Sequence, residues 1–414
     1  MADVRRVTLA CYTANASMSV VGNLSPLLFL TFRSLYHVSY TSLGLLVLIN
    51  FFTQLIVDLI FSFFSHRFHI PKTVKCIPVL TVAGLLVYAA APILFPNAVF
   101  VGLLIGTVIF SAAGGLGEVL ISPVIAALPS DNPDREMSKL HSVYAWAVVA
   151  VFVFGALFLS LFGIENWQWL TLIFALIPTC SALLFHGAKI PQMSTPERVS
   201  GVLSQLKNPG IWLCVVAIFF GGASECTMAQ WCSGYIERAL GISKLWGDIF
   251  GAAFFSVMLG FGRSLYAKCG KNITRVLFGG AIGATAGYLI AAISSVEAFG
   301  LVACVLTGFF VSMMWPGCLI AASDRFPQSG VFLYALMAAG GDLGASVGAQ
   351  AVGVVIDAVA AYPDAAQLAS RLGLTAEQIG MKAGMLVGML FPLCAIVVFF
   401  FLHRTAKKRA TKTL

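Results

Sequence analysis

Long apolar stretches dominate this chain, and only short polar connections separate them. A membrane-crossing α-helix needs about 20 consecutive apolar residues. The pattern predicts an all-α protein with twelve transmembrane helices, numbered here as segments one to twelve. These segments cover Val7–Thr31, Thr41–Phe64, Thr73–Phe95, Ala98–Leu128, Leu140–Phe162, Trp167–Phe185, Gly210–Ile236, Leu245–Ala267, Ile273–Ser294, Ala298–Ser323, Gly330–Ile356 and Ala383–Leu402.

Composition supports a lipid environment. Hydrophobic residues make up 59% of the chain and charged residues 10%, whereas a soluble domain has about 25% charged residues. The composition therefore excludes a soluble protein and indicates the lipid bilayer as the solvent.

The basic residues predict the orientation. With both termini in the cytoplasm, 20 of the 25 Lys and Arg fall on the inner side, as the positive-inside rule requires. The net charge of +8 is thus explained by topology, and no nucleic-acid partner is expected. We expect a multi-pass protein of the cell membrane that works as a monomer.

A central polar stretch divides the chain. Gly187–Pro209 is the longest stretch predicted on the inner side. It separates a first six-helix bundle, residues 1–186, from a second, residues 210–414, with residues 187–209 as a cytoplasmic linker. Two six-helix halves are typical of transporters. The ten cysteines form no C-x-x-C pair, and no nucleophile–base pair or metal-ligand cluster emerges. We predict no enzyme, metal or cofactor.

Three acids, Glu118, Glu225 and Asp342, lie near the middle of apolar segments that offer no Lys or Arg at matching depth. An ionised acid at that depth is costly, so it faces water or an ion, or it keeps its proton. We predict that these acids couple transport to protons. Glu118 ranks first because Ser111, Gly114 and Ser122 leave space on its helix face.

Polar residues also recur at helical spacing in three segments. Positions i, i+4 and i+8 share one face. Such stripes either bond neighbouring helices or line a shared aqueous cavity, and three of them favour the cavity. The stripes are Asn15, Ser19 and Asn23; Asn50, Gln54 and Asp58; and Asp342, Ser346 and Gln350.

Several of these side chains suit a hydroxyl-rich solute. Amides bind hydroxyl groups, and aromatic faces cover C–H surfaces. The predicted solute-binding residues are Asn15, Asn23, Gln54, His141, Gln230, Trp231 and Trp315. For His141, near the inner end of segment five, a packing role is the alternative.

Related basic motifs, in which basic residues are predicted to cap a tight turn on the inner face, occur at the ends of segments two and eight. They are Phe64-Ser65-His66-Arg67-Phe68-His69-Ile70-Pro71-Lys72 and Gly262-Arg263-Ser264-Leu265-Tyr266-Ala267-Lys268-Cys269-Gly270-Lys271. With the 6+6 layout, they resemble the major facilitator superfamily, whose members carry G-x-L-a-D-R-x-G-R/K at this turn. The first copy departs from that pattern, with His66 at the Asp position and His69 at a Gly position. The resemblance implies gating roles for Asp58, Arg67 and Arg263 on the inner face.

Four further motifs resemble the fucose and glucose:proton symporter branch of that family. They are Gly114-Gly115-Leu116-Gly117-Glu118 with Ser122-Pro123, Gly221-Gly222-Ala223-Ser224-Glu225 with Trp231, Ser312-Met313-Met314-Trp315-Pro316, and Gly340-Gly341-Asp342-Leu343-Gly344. Segment one lacks the acid of these symporters, and Leu140-His141 replaces Leu-Asn. Gly341 and Gly344 are expected to let helices approach and slide during gating, and Pro123 and Pro316 to bend their helices.

The resulting hypothesis is proton-coupled uptake of a sugar or sugar-like small polar solute by alternating access. A drug or metabolite:proton antiporter of the same fold is the close alternative, and a non-transporting membrane receptor is the alternative outside this class. Before segment twelve, Asp364-Ala365-Ala366-Gln367 and Thr375-Ala376-Glu377-Gln378 are capping-box patterns that predict two short helices.

Overall fold

A computed structural model describes residues 2–64, 67–129, 133–191, 207–294, 296–326 and 330–410. Helices dominate these residues, and no strand occurs among them. The α-helices are α1 Ala2–Tyr36, α2 Tyr40–Phe64, α3 Ile70–Ala89, α4 Ala91–Leu94, α5 Val99–Ala127, α6 Pro133–Phe162, α7 Trp167–Phe185, α8 Pro209–Leu240, α9 Lys244–Gly247, α10 Phe254–Cys269, α11 Ile273–Ile293, α12 Glu297–Val311, α13 Met314–Arg325, α14 Gly330–Ala360, α15 Ala365–Leu372 and α16 Ala376–Ala410.

The predicted all-α membrane architecture is confirmed. Within the described residues, eleven helical stretches are long and apolar enough to cross a membrane. Segment five corresponds to α6, where Trp146–Phe162 is a shorter apolar stretch. Segment eight is built from α9, a six-residue π-helical stretch at Asp248–Ala253 and α10. Segment ten is broken into α12 and α13.

Contacts divide the chain into two compact units. Unit 1 contains residues 1–38 and 49–199, and unit 2 contains residues 39–48 and 200–414. The first turns of α2 therefore belong with α14 in unit 2. Most of the predicted linker, residues 192–206, lies outside the described residues, so the linker stays a prediction.

Unit 1 is held together at both ends of its helices. At one end, the Arg6 side chain donates to the carbonyl oxygens of Leu184 (2.8 Å) and His186 (2.6 Å), which lack partners in the last turn of a helix. At the other end, Trp167 Nε1 donates to Tyr36 Oη at 3.0 Å. The start of α1 and the end of α7 consequently lie at the same end of this unit.

Unit 2 caps the start of α2 with an acid from α14. Asp357 accepts hydrogen bonds from the main-chain N–H groups of Tyr40 (3.2 Å) and Thr41 (2.5 Å). A carboxylate is well suited to this place because the first N–H groups of a helix have no intrahelical acceptor and carry a partial positive charge.

One of the two predicted short helices before segment twelve is absent as a separate element. α15 follows Asp364 as expected. Thr375 and Gln378 form the reciprocal capping box, with Gln378 N donating to Thr375 Oγ1 at 3.1 Å and Thr375 N to Gln378 Oε1 at 2.8 Å. The helix that they begin continues without interruption through Gly380 as α16.

Candidate functional site

A polar ladder joins α2 and α5 in unit 1. Its first step is Ser111 Oγ donating to Asn50 Oδ1 at 2.5 Å. One turn further on α2, Gln54 Nε2 donates to the same oxygen at 3.1 Å. One more turn brings Asp58 beside Glu118, with carboxylate oxygens within 4.8 Å of each other. The predicted stripe on segment two therefore faces α5.

Glycines on α5 allow this register. A Cβ atom at Gly115 would lie 3.0 Å from Val57 Cβ and 3.1 Å from Gln54 Cα. A side chain there would push the two helices apart. Gly114 of α5 lies against Gln54 of α2. Four residues further along each helix lie Asp58 on α2 and Glu118 on α5. Close packing on one turn thus sets the separation of the acids on the next.

The two acids differ in their surroundings. Asp58 is 1% exposed, whereas the side chain of Glu118 is exposed. If both carboxylates were ionised, their repulsion at this separation would be about 3.5 kcal/mol at an effective dielectric constant of about 20, and less where water screens Glu118. The pair can hold one proton between a buried oxygen and an accessible one.

The stripe on α1 bonds a neighbouring helix. Asn15 Nδ2 donates to the Leu140 carbonyl at 2.7 Å, and Ser19 Oγ donates to the Tyr144 carbonyl at 2.9 Å. Asn23 Nδ2 donates to the Ser19 carbonyl at 2.9 Å. Asn15 and Asn23 are buried, and their amide donors serve α6 and α1. Their proposed contact with solute stays a prediction.

Glu225 in unit 2 is ion-paired with an arginine of the next predicted segment. Arg263 Nη2 lies 2.8 Å from Glu225 Oε1, and Arg263 Nε donates to the Ser312 carbonyl at 3.0 Å. Arg263 lies inside α10, within the predicted segment eight, and its gating role stays a prediction. Its long side chain extends to Glu225 on α8.

Asp342 lies buried on α14, where Ser346 Oγ donates to its main-chain oxygen at 2.7 Å. Gln350, two turns further, donates to the Thr41 carbonyl at 3.2 Å. The glycines beside Asp342 permit close helix contact. A Cβ atom at Gly344 would lie 2.0 Å from the Phe219 carbonyl oxygen, and one at Gly341 would lie 2.5 Å from the Trp315 ring.

The two predicted aromatic platforms differ in access. Trp231 is 1% exposed, its Nε1 donates to the Ala349 carbonyl at 2.9 Å, and its ring packs against Tyr40. Trp315 is half-buried above Gly222 and Gly341. Of the two predicted aromatic side chains, Trp315 is therefore the one whose ring keeps exposed surface in this conformation.

The remaining predicted residues have varied positions. Gln54 and Gln230 are buried. Arg67 is exposed after α2, with its guanidinium 5.4 Å from the centre of the Phe64 ring. The side chain of His141 lies outside the described residues.

Sequence reasoning missed one fully buried acid. Asp248 accepts from Ser233 Oγ and forms an ion pair with Lys244 at 2.9 Å. The i, i+4 spacing of Lys244 and Asp248 was the available signal.

Known structures share this fold at low sequence identity. A D-xylose:proton symporter is 15% identical, with coverage of 95% of this chain and 96% of the other and a TM-score of 0.71. A bacterial homologue of the human lysosomal transporter Spinster, in its inward-facing and unoccupied conformation, is 15% identical. The similarity covers 98% of this chain and 97% of the other, with a TM-score of 0.70. The Escherichia coli fucose:proton symporter FucP is 16% identical, with coverage of 95% of this chain and 99% of the other and a TM-score of 0.58.

No curated protein matches the sequence. The Major Facilitator Superfamily model, in contrast, matches residues 9–349. This match confirms the predicted family and fold, and since the family consists of transporters, it also confirms that the protein is not an enzyme. The chain belongs to the Major Facilitator Superfamily of multi-pass membrane transporters.

Proposed function

We propose that this transporter takes up a sugar-like small polar solute together with protons, by alternating access. The observation that carries the proposal is the closeness of Asp58 and Glu118, whose carboxylate oxygens lie within 4.8 Å. Two acids this close favour a shared proton, because ionising both brings like charges together. A conformational change that separates the two acids, or the binding of an ion or solute beside them, changes the free energy of protonating the pair.

The exposure of the two acids supports a proton path. Glu118 is accessible and Asp58 is enclosed, so a proton from water reaches Glu118 first. Gln54 and Asn50 continue the polar stripe one and two turns from Asp58. We assign the coupling of transport to protons to the Asp58–Glu118 pair, in place of the gating role that the family resemblance implied for Asp58.

The solute class rests on the fold and on side-chain chemistry. Symporters of xylose and fucose with protons share the fold. Gln54 and Gln230 supply amides, and Trp315 supplies a partly open aromatic face. The protein is proposed to lie in the cell membrane with both termini in the cytoplasm. The start of α1 and the end of α7 lie at one end of unit 1, which agrees with an even number of membrane crossings in this unit.

The proposal is tested in two stages. A thermal-shift screen of sugars and drugs with purified protein identifies a solute. Proteoliposomes then report counterflow, which needs exchange alone, and accumulation driven by a pH gradient, which needs coupling. Glu118→Gln is expected to keep counterflow and to reduce accumulation at least tenfold.

Glu165→Gln is the matched control, since Glu165 is an exposed acid in the turn before α7. It should accumulate solute like the unmodified protein. Full accumulation by Glu118→Gln would reject the coupling role. Preferential binding of apolar cations would support a drug antiporter, and binding without any flux would support a receptor.

A further inference from the structure

Arg263 is a cation that the coupling pair of unit 1 does not use. It lies on α10 within a predicted membrane span. The preceding residue is glycine because α10 passes very close to the end of α12: a Cβ atom at Gly262 would lie 2.2 Å from Ser312 Oγ. This approach places the Arg263 side chain at the break between α12 and α13. An arginine in such a segment is costly and indicates function.

Proline creates the acceptor that orients Arg263. In a continuous helix the carbonyl of Ser312 would accept from the N–H of residue 316, but Pro316 has no N–H. The helix begins again beyond this point, with Gly317 N donating to the Met313 carbonyl at 2.8 Å. The Ser312 carbonyl instead accepts from Arg263 Nε at 3.0 Å. The main chain thereby holds the guanidinium in a fixed orientation.

Glu225 neutralises this guanidinium through a single oxygen. Oε1 accepts from Arg263 Nη2 at 2.8 Å, while Oε2 is buried without a hydrogen-bond partner among the described residues. Arginine has five N–H donors and binds carboxylates best through two parallel bonds. Two of the five donors have partners in the described part of the chain, so the two-bond arrangement is not used here.

Exposure distinguishes the two members of the pair. The Arg263 side chain is 40% exposed and that of Glu225 is 13% exposed. The exposed guanidinium leaves room for a ligand beside Glu225, because two of its five N–H donors have partners in the described part of the chain. Trp315, three residues after Ser312, adds a half-buried ring at the same helix break. The helix break thus combines an exposed cation with a half-buried aromatic ring.

We propose that Arg263, oriented by the Ser312 carbonyl and neutralised by Glu225 in the empty state, binds a carboxylate group of the transported solute. This inference rests on the proposed transport function and narrows the solute from a neutral sugar to a sugar acid or a similar small organic anion. Glu225 stands in for the solute's carboxylate, and the solute competes with it for the guanidinium. Trp315 covers the apolar side of the bound molecule.

Matched probes test the inference. Binding of D-glucuronate, D-galacturonate and D-gluconate is compared with that of D-glucose, D-galactose and D-glucitol by calorimetry on the full chain. Nanodiscs of phosphatidylcholine exclude anionic lipid headgroups as competitors. At least one acid should bind tenfold or more tightly than its neutral partner, and Arg263→Gln should remove this difference. Arg275→Gln, at an exposed arginine of α11, should leave it unchanged.

Two further variants keep the test decisive if Arg263→Gln does not fold. Glu225→Gln removes the competing carboxylate and should bind the acid several-fold more tightly. The double variant Glu225→Gln and Arg263→Gln buries no unpaired charge and should lose the preference for acids. Equal affinity for acids and neutral sugars, or a preference that survives in the double variant, overturns the inference.

Failure of this inference differs from failure of the proposed function. A neutral sugar that binds and accumulates with a pH gradient would reject the anion site while supporting proton-coupled uptake. An acid that binds Arg263 but shows neither counterflow nor accumulation would support the anion site and reject transport of that solute. Absence of binding by all six probes counts against both.

Discussion

Asp58 on α2 and Glu118 on α5 bring their carboxylate oxygens within 4.8 Å of each other. The two residues are far apart in the sequence, and the packing of Gln54 and Val57 against Gly115 brings their helices close together. The relationship joins a buried acid to an accessible one. Asp58 therefore belongs to the candidate coupling machinery.

Asp58→Asn should reproduce the phenotype of Glu118→Gln. Either change removes the like-charge interaction and leaves one acid that no longer shares a proton. Counterflow of the identified solute should remain within about threefold of the unmodified protein, while accumulation driven by a pH gradient falls at least tenfold. Normal accumulation by Asp58→Asn would assign coupling to Glu118 alone.

The double variant Asp58→Asn and Glu118→Gln should accumulate solute no worse than either single variant. Residues that act as one unit show strongly non-additive effects. The measurement is the ratio of internal to external solute at a fixed pH gradient. Losses that multiply would indicate two independent proton sites.

Gly344→Ala should destabilise unit 2. The added methyl group would lie 2.0 Å from the Phe219 carbonyl oxygen, which is main chain and cannot rotate away. Overpacking of this kind costs about 1–3 kcal/mol, so the melting temperature in detergent should fall by several degrees. Gly279→Ala is the matched control, because its Cβ meets nothing within 4 Å on α11. An unchanged melting temperature for Gly344→Ala would contradict the close α8–α14 contact.

Asp357→Ala should weaken the start of α2. It removes the acceptor of the Tyr40 and Thr41 N–H groups, and loss of a helix cap costs about 1 kcal/mol. Hydrogen exchange of the amides at residues 40 and 41 should accelerate about fivefold or more. Asp364→Ala is the control, since Asp364 makes no side-chain capping bond to α15. Equal exchange in both variants would argue against the cap.

The sequence predicted the helices better than it predicted their partners. Apolar length alone located the spans, and periodicity identified the stripe of Asn50, Gln54 and Asp58. Periodicity along one helix carries no information on which residue of another helix lies opposite. The pairing of Asp58 with Glu118 was therefore not predicted, although the adjacent glycines indicated close packing.

The Glu225–Arg263 pair shows a second limit. The two residues belong to different predicted segments, and the long arginine side chain and the close approach at Gly262 bring them together. A signal did exist in Pro316, four residues after Ser312, because a proline predicts a free carbonyl at that spacing. The position of the donor for that carbonyl required the fold.

Proton movement measured directly is the sharpest test of coupling by Asp58 and Glu118. Proteoliposomes that contain a pH-sensitive dye are mixed with the identified solute in the absence of a pH gradient. The solute should carry protons inward with the unmodified protein, and Asp58→Asn and Glu118→Gln should exchange solute without this proton flux. Proton flux of unchanged size in both variants would contradict the account.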